Sequence, residues 1–168
     1  MLPQQRERAM SILIVYDSVF GNTAAIARAM ADALAPSHAV KLASVQEAAD
    51  LDLRGVELLI AGSPTRGFRP TPNMQEFVAR PDISGRAAAF DTRLDPEGIQ
   101  PAPLRWVVAA GGYAADRLYQ TLAAHGCTMA SPPTGFVVTG QEGPLKDGEI
   151  ERAGAWARSL VQPATQGE

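Results

Sequence analysis

A short apolar run that ends in a loop of small polar residues and continues into a helical stretch is the segment that most constrains the fold. The run covers residues 12–16, the loop residues 17–23 and the helical stretch residues 24–34. Because the run is short, continuous and rich in Ile and Val, it predicts a strand that is buried on both faces, as in parallel sheets. The loop then lies where this strand leads into the N-terminus of a helix.

This position favours the binding of an anion. The first amides of a helix have no partner within the helix, and the helix dipole places partial positive charge beside them. The loop contains no Lys or Arg, but Ser18, Asn22 and Thr23 supply neutral side-chain donors. We therefore predict a phosphate site. The alternative is a capped helix without a ligand, because cap residues of these types occur at many helix starts.

Strand and helix patterns alternate along the rest of the chain. Further strands are predicted at residues 38–45, 55–62, 86–92 and 135–139, and further helices at residues 74–80, 114–124 and 149–161, with a short polar connection, possibly helical, at 46–53. This alternation indicates a three-layer α/β fold with a doubly wound, five-stranded parallel sheet. Of the two common strand orders we predict 2-1-3-4-5, in which a ligand binds at the carboxyl ends of strands one and three. One domain is expected at residues 10–162, between polar tails at 1–9 and 163–168.

Composition excludes several classes of function. The net charge of −3 is mildly acidic and argues against a nucleic-acid partner. No apolar stretch approaches the roughly 20 residues of a membrane-spanning helix. One Cys and two His residues permit no intrachain disulfide and no zinc site of the usual kinds, so no metal is predicted. We expect a cytoplasmic protein, since residues 1–9 also lack the apolar core of a signal peptide.

The first loop resembles the phosphate loop of the flavodoxins, which binds the 5′-phosphate of FMN. The family pattern is a strand that ends in an aromatic residue, then a hydroxyl residue, a small residue and a Thr, with an Ala inside the helix. In this chain these places are held by Tyr16, Ser18, Gly21, Thr23 and Ala27. The resemblance implies a flavodoxin-like fold and an FMN phosphate held by Ser18, Val19, Phe20, Gly21, Asn22 and Thr23.

A second loop, residues 62–72, resembles the flavodoxin loop that covers one face of the isoalloxazine ring. The resemblance rests on Gly62, Pro64, Gly67 and Pro72. It implies that the ring is lined by Pro64, Thr65, Arg66, Gly67 and Phe68. A peptide flip at Gly67 would serve the flavin N5 in both redox states, and Phe68 would stack on the ring. The alternative is a rigid surface loop whose Phe68 packs on the core.

The third loop of the expected site begins with Asp91, Thr92 and Arg93. In flavodoxins the loop after strand four supplies the second wall of the flavin site, and we place Thr92 and Arg93 near the pyrimidine edge. No aromatic residue follows directly, because an apparent insertion occupies residues 95–103. Trp106 and Tyr113 are both candidates for the stacking residue on this side, and the sequence does not choose between them.

Three functions are compatible with these loops. The preferred one is an electron-transfer protein that binds FMN, exchanges electrons with a reductase or an acceptor protein, and needs no catalytic side chain. An FMN-dependent NAD(P)H:quinone-type oxidoreductase is the alternative, because Arg66, Arg69 and Arg93 would receive an anionic reactant. A flavin-free binding module on the same fold is the third, because Phe20 replaces a hydroxyl residue of many flavodoxins. The chain has no nucleotide-binding P-loop, no G-x-G-x-x-G motif and no G-x-S-x-G motif. No oligomeric state is indicated.

Overall fold

The structure is a computed structural model that describes residues 9–95 and 112–162 of the 168-residue chain. Strands and helices alternate along the described residues. In chain order they are β1 (Ser11–Tyr16), α1 (Asn22–Leu34), β2 (Ala39–Ser44), α2 (Val45–Ala48), β3 (Leu58–Pro64), α3 (Pro72–Val78), β4 (Arg86–Leu94), α4 (Ala114–Ala124), β5 (Thr128–Met129), β6 (Thr134–Val138) and α5 (Glu149–Val161).

All strands of the sheet pair in parallel, in the order β2-β1-β3-β4, with β5 and β6 both on the outer edge of β4. β5 lies beside the start of β4, and β6 lies beside its end. The predicted order 2-1-3-4-5 is therefore confirmed, with two short strands in the fifth position. Pro132 and Pro133 separate these strands, because proline lacks the N–H group that a ladder requires.

Both faces of the sheet are buried, which explains the continuous apolar run of β1. Successive side chains of a strand point to opposite faces. Leu13 and Val15 pack with residues of α3 and α4, whereas Ile12 and Ile14 pack with residues of α1 and α5. The helices thus form one layer on each side of the sheet, and the carboxyl ends of β1, β3, β4 and β6 meet at one edge.

A cluster of three aromatic side chains packs on one face of the sheet, near that edge. The Phe90 ring contacts Phe136 and Trp156 edge-to-face, at centroid distances of 6.0 and 6.2 Å. Gly62 makes room for this ring, since a Cβ at that position would lie 2.0 Å from the Phe90 side chain. The close approach joins β3, β4 and α5 directly beneath the two loops that follow β3 and β4.

The predicted helices at 114–124 and 149–161 have the bounds of α4 and α5. β3 begins three residues later than predicted and ends two residues later, and β4 continues to Leu94. α3 begins earlier than predicted, because the Thr71 hydroxyl caps it and Pro72 occupies its first turn. The predicted tails (except Ala9), most of the insertion and Trp106 lie outside the described residues. None of the described helices is long and apolar enough to cross a membrane.

Candidate functional site

The first loop leaves β1 through Asp17, a buried carboxylate. The Asp17 backbone N–H donates to the Gly62 carbonyl at 3.0 Å, which continues the ladder between β1 and β3. The Asp17 Oδ1 atom accepts from the Ser18 amide at 3.0 Å, and Oδ2 accepts from the Thr71 hydroxyl at 2.6 Å. Both carboxylate oxygens are therefore engaged by protein donors, and they tie the first loop to the start of α3.

Ser18 organises the turn into α1. Its Oγ atom accepts from the amides of Gly21 and Ala24, at 3.1 and 3.3 Å. Gly21 precedes the helix with φ of 94°, a left-handed conformation that side chains disfavour. Ser18 thus takes the capping role that the residue next to the helix does not fill.

The other amides of this loop point to a site for a ligand. Within the part of the chain that the structure describes, the N–H groups of Val19, Phe20, Asn22 and Thr23 have no hydrogen-bond partner. Unpartnered amides at a helix N-terminus form an anion site, and the dipole of α1 adds to it. The donor set is neutral and fits a phosphate group; the phosphate site itself stays a prediction.

A pocket of about 360 Å³ opens beside these amides, at the carboxyl edge of the sheet. The first, second and third loops form most of its wall, and the end of β6 closes it. The lining residues are Val19, Phe20, Asn22, Thr23, Pro64, Thr65, Arg66, Gly67, Thr92, Arg93, Leu94, Val138 and Gln141.

Ten of the predicted site residues are in this lining, and Ser18, Gly21, Phe68 and Asp91 are not. Ser18 and Gly21 determine the conformation of the first loop without lining the pocket. Leu94, Val138 and Gln141 were not predicted. The parallel pairing of β4 with β6 sets Leu94 beside Val138, so the rule that sites form at the carboxyl ends of strands would have found this wall.

The second loop folds into a tight turn. Arg66 and Arg69 exchange two backbone hydrogen bonds of 2.8 and 3.0 Å, and Gly67 and Phe68 between them both have positive φ. Phe68 is half-buried beside the pocket rather than in its wall. Its stacking on a flavin ring stays a prediction. The aromatic side chain that does line the pocket is Phe20, which is 46% exposed.

The third loop carries an ion pair that is anchored from several sides. Both carboxylate oxygens of Asp91 accept from the Arg93 guanidinium, each at 2.7 Å, and Asp91 also accepts from the Ala115 amide of α4 at 2.9 Å. The Arg93 guanidinium lies over the Tyr113 ring, 3.6 Å from its centroid. Burial raises the pKa of Asp91, and the adjacent Arg93 opposes this shift. Asp91 therefore holds Arg93 at the pocket wall instead of facing the pocket itself.

The loops are also joined to one another. The hydroxyl groups of Thr23 and Thr92 lie 2.8 Å apart and share a hydrogen bond. The Asn22 side chain donates to the Glu142 carbonyl at 3.1 Å, and the Ala114 amide donates to the Thr65 hydroxyl at 3.0 Å. The pocket is thus built from loops that brace each other. Residues 9–95 and 112–162 contain no group of three or more His, Cys, Asp or Glu residues arranged to hold a metal ion.

Comparison with known proteins agrees with this architecture. An archaeal flavodoxin superposes with a TM-score of 0.68 at 19% identity, over 90% of this chain and 96% of that one. Flavodoxin 2 from Bacillus cereus superposes with a TM-score of 0.64 at 19% identity, over 90% and 97% of the two chains. Rubredoxin oxygen:oxidoreductase from Desulfovibrio gigas matches 92% of this chain with 36% of its own, with a TM-score of 0.64 at 18% identity. No curated protein sequence matches the chain.

The doubly wound sheet, with an anion site and a pocket where the winding reverses, defines the chain as a flavodoxin-like α/β protein. The family model of the flavodoxin domain matches residues 13–93. This stretch contains the first and second loops and Asp91, Thr92 and Arg93 of the third, so the chain is similar to the flavodoxin domain in the part that lines the pocket. The predicted resemblance is confirmed.

Proposed function

We propose that the protein binds FMN without a covalent bond and transfers electrons to or from a partner redox protein. The observation that carries the proposal is a set of four amides on the edge of the pocket, at Val19, Phe20, Asn22 and Thr23, that have no hydrogen-bond partner among the described residues. These amides would hold the 5′-phosphate. Flavin supplies the electron-transfer chemistry when it is bound, and the protein determines its orientation and access.

The pocket supports a ligand larger than a phosphate. Its volume of about 360 Å³ falls within the range of small-molecule sites, roughly 300–1,000 Å³. Pro64, Thr65, Arg66 and Gly67 would face one side of the ring, and Thr92 and Arg93 the other. The similarity to solved flavodoxins adds support for this assignment of the walls.

The first experiment is a titration of the purified apoprotein with FMN, followed by quenching of flavin fluorescence. Saturable binding of one FMN per chain is expected. Riboflavin, which lacks the phosphate, and AMP, which carries a phosphate but no flavin, serve as controls. A protein that fails to bind FMN would contradict the proposal and favour the flavin-free binding module.

A second candidate function is an FMN-dependent oxidoreductase that reacts with NAD(P)H. It is favoured by one observation, that Arg66 and Arg93 line the pocket while no Asp or Glu among the described residues does. Two cations without an adjacent carboxylate in the wall would attract an anionic reactant.

Mixing the FMN-loaded protein with NADPH under anaerobic conditions separates the two candidates. An electron carrier should keep the absorption of its oxidised flavin near 450 nm until a reductase is added. An oxidoreductase should lose this absorption within its turnover time. If bleaching occurs, Arg66→Gln should raise the KM for NADPH with little change in kcat. Arg54→Gln is the control, because Arg54 is exposed and pairs with Asp52 away from the pocket.

A further inference from the structure

We infer that Arg93 is a fixed positive charge of the flavin ring site, and that it makes the protein bind reduced FMN more tightly than an uncharged wall would. The inference rests on the proposed function, because it concerns the same pocket. It goes beyond that function in naming one side chain that adjusts the redox balance of the ligand.

Arg93 cannot move away from the pocket without losing three contacts. Two 2.7 Å hydrogen bonds to Asp91 fix the plane of its guanidinium. The Tyr113 ring covers one face at 3.6 Å. The backbone of Gly135 packs against it so closely that a Cβ there would lie 2.0 Å from the Arg93 Nε atom. A planar cation held on several sides is preorganised, which most arginine side chains at a protein surface are not.

The ion pair is oriented with its positive end toward the pocket. The Arg93 side chain is 21% exposed and lines the pocket, whereas the Asp91 side chain is fully buried behind it. Among the described residues, the rest of the lining includes Arg66 and no acidic side chain that would offset the guanidinium charge. A ligand in the pocket would therefore lie closer to the Arg93 guanidinium than to the Asp91 carboxylate.

Reduction of a flavin adds negative charge to the ring. A positive charge in a partly enclosed wall interacts with that added charge more strongly than an exposed one, because solvent screens it less. Asp91 reduces the effect without cancelling it, since it lies farther from the pocket. Arg66 provides the contrast, because it is exposed and makes no ion pair within the described residues.

The test uses the double variant Asp91→Asn with Arg93→Gln. Both charges are removed together, because Arg93→Gln alone would leave a buried carboxyl without its cation. Dissociation constants are measured for oxidised FMN and, anaerobically, for dithionite-reduced FMN, and the midpoint potential of the bound flavin is measured by titration. The ratio of the reduced to the oxidised constant should rise about tenfold, which lowers the two-electron midpoint by about 30 mV.

Arg54→Gln is the control, because Arg54 is exposed and pairs with Asp52 away from the pocket. Removal of this charge should leave the ratio unchanged. Asp91→Asn alone gives an independent test if the double variant does not fold, as judged by circular dichroism. It removes the offsetting charge and keeps an acceptor for Arg93, so the ratio should fall and the midpoint should rise.

The possible failures are distinguishable. A wild-type protein that does not bind FMN would overturn the proposed function and this inference together. A wild-type protein that binds FMN, with an unchanged ratio in the double variant or an unchanged or raised ratio in Asp91→Asn, would overturn the inference and leave the proposed function standing.

Discussion

Removal of the 5′-phosphate from the ligand tests the first loop most directly. Four amides there lack a protein partner among the described residues. A hydrogen bond to a charged group contributes about 1.5–3 kcal/mol. If only two of the amides reach the phosphate, its loss costs at least about 3 kcal/mol, which corresponds to a roughly 100-fold weaker complex. Riboflavin should therefore bind at least about 100-fold more weakly than FMN.

Ser18→Ala examines the geometry that presents these amides. The substitution removes the acceptor of the Gly21 and Ala24 amides, so the turn loses its cap. We expect the free energy of unfolding to fall by about 1 kcal/mol, as for other lost caps. The preference for FMN over riboflavin should fall by about tenfold, because the amides no longer converge.

Ser44→Ala is the control for the loss of a cap. Ser44 accepts from the Glu47 amide at 3.2 Å at the start of α2, away from the pocket lining. This variant should lose similar stability and keep the full preference for FMN. Fluorescence titrations with both ligands at fixed ionic strength give the preference, and urea unfolding gives the stability. Equal affinities of the wild type for FMN and riboflavin would refute the phosphate assignment, and a preference unaltered by Ser18→Ala would refute the role of the turn.

Three further outcomes are expected. Asp17→Asn should lower the free energy of unfolding, measured by urea unfolding, by about 1.5–3 kcal/mol, because a buried charged hydrogen-bond acceptor is lost. Gly62→Ala should cost about 1–3 kcal/mol or more by overpacking against Phe90, and the added change Phe90→Leu should recover part of this loss. Arg152 lowers the pKa of Glu149 below its ordinary 4.5, so this contribution to stability is present above pH 4.5 and is lost as the pH falls through the folded pKa. The stability difference between wild type and Glu149→Gln, measured by urea unfolding across this range, should shrink accordingly; a constant difference would contradict the assignment.

Much of the fold could be predicted from the sequence because the local patterns are strong. A parallel strand that is covered on both faces must be apolar throughout, as β1 and β3 are, and α4 and α5 show the apolar spacing of surface helices. The right-handed connections then leave few windings. The break between β5 and β6 depends on two prolines. They interrupt the hydrogen bonds to β4, and the sequence alone does not show that β4 is their neighbour.

The site was harder to predict, because proximity across loops has no local signal. The residue type of Phe68 predicts stacking on the ring; a turn with positive φ at Gly67 and Phe68 places it beside the pocket lining, and its stacking stays a prediction. Asp91 was expected among the cofactor-binding residues, and its side chain instead anchors Arg93 and the start of α4. Such roles depend on which neighbour supplies the hydrogen bond, and that neighbour is distant in sequence.

The hydrogen bonds between loops have a consequence for ligand binding. Thr23 shares a hydrogen bond with Thr92, so the phosphate end of the pocket is joined to the wall that carries the arginine. Thr65 accepts from the Ala114 amide, so the opposite wall is joined to α4. Loops that are already braced lose little conformational freedom when a ligand enters, and the affinity then reflects the contacts themselves. The second loop is braced as well, because the exposed turn at Gly67 is closed by the two backbone hydrogen bonds between Arg66 and Arg69. In the proposed function, the loops that would hold the ligand are therefore largely formed before it binds.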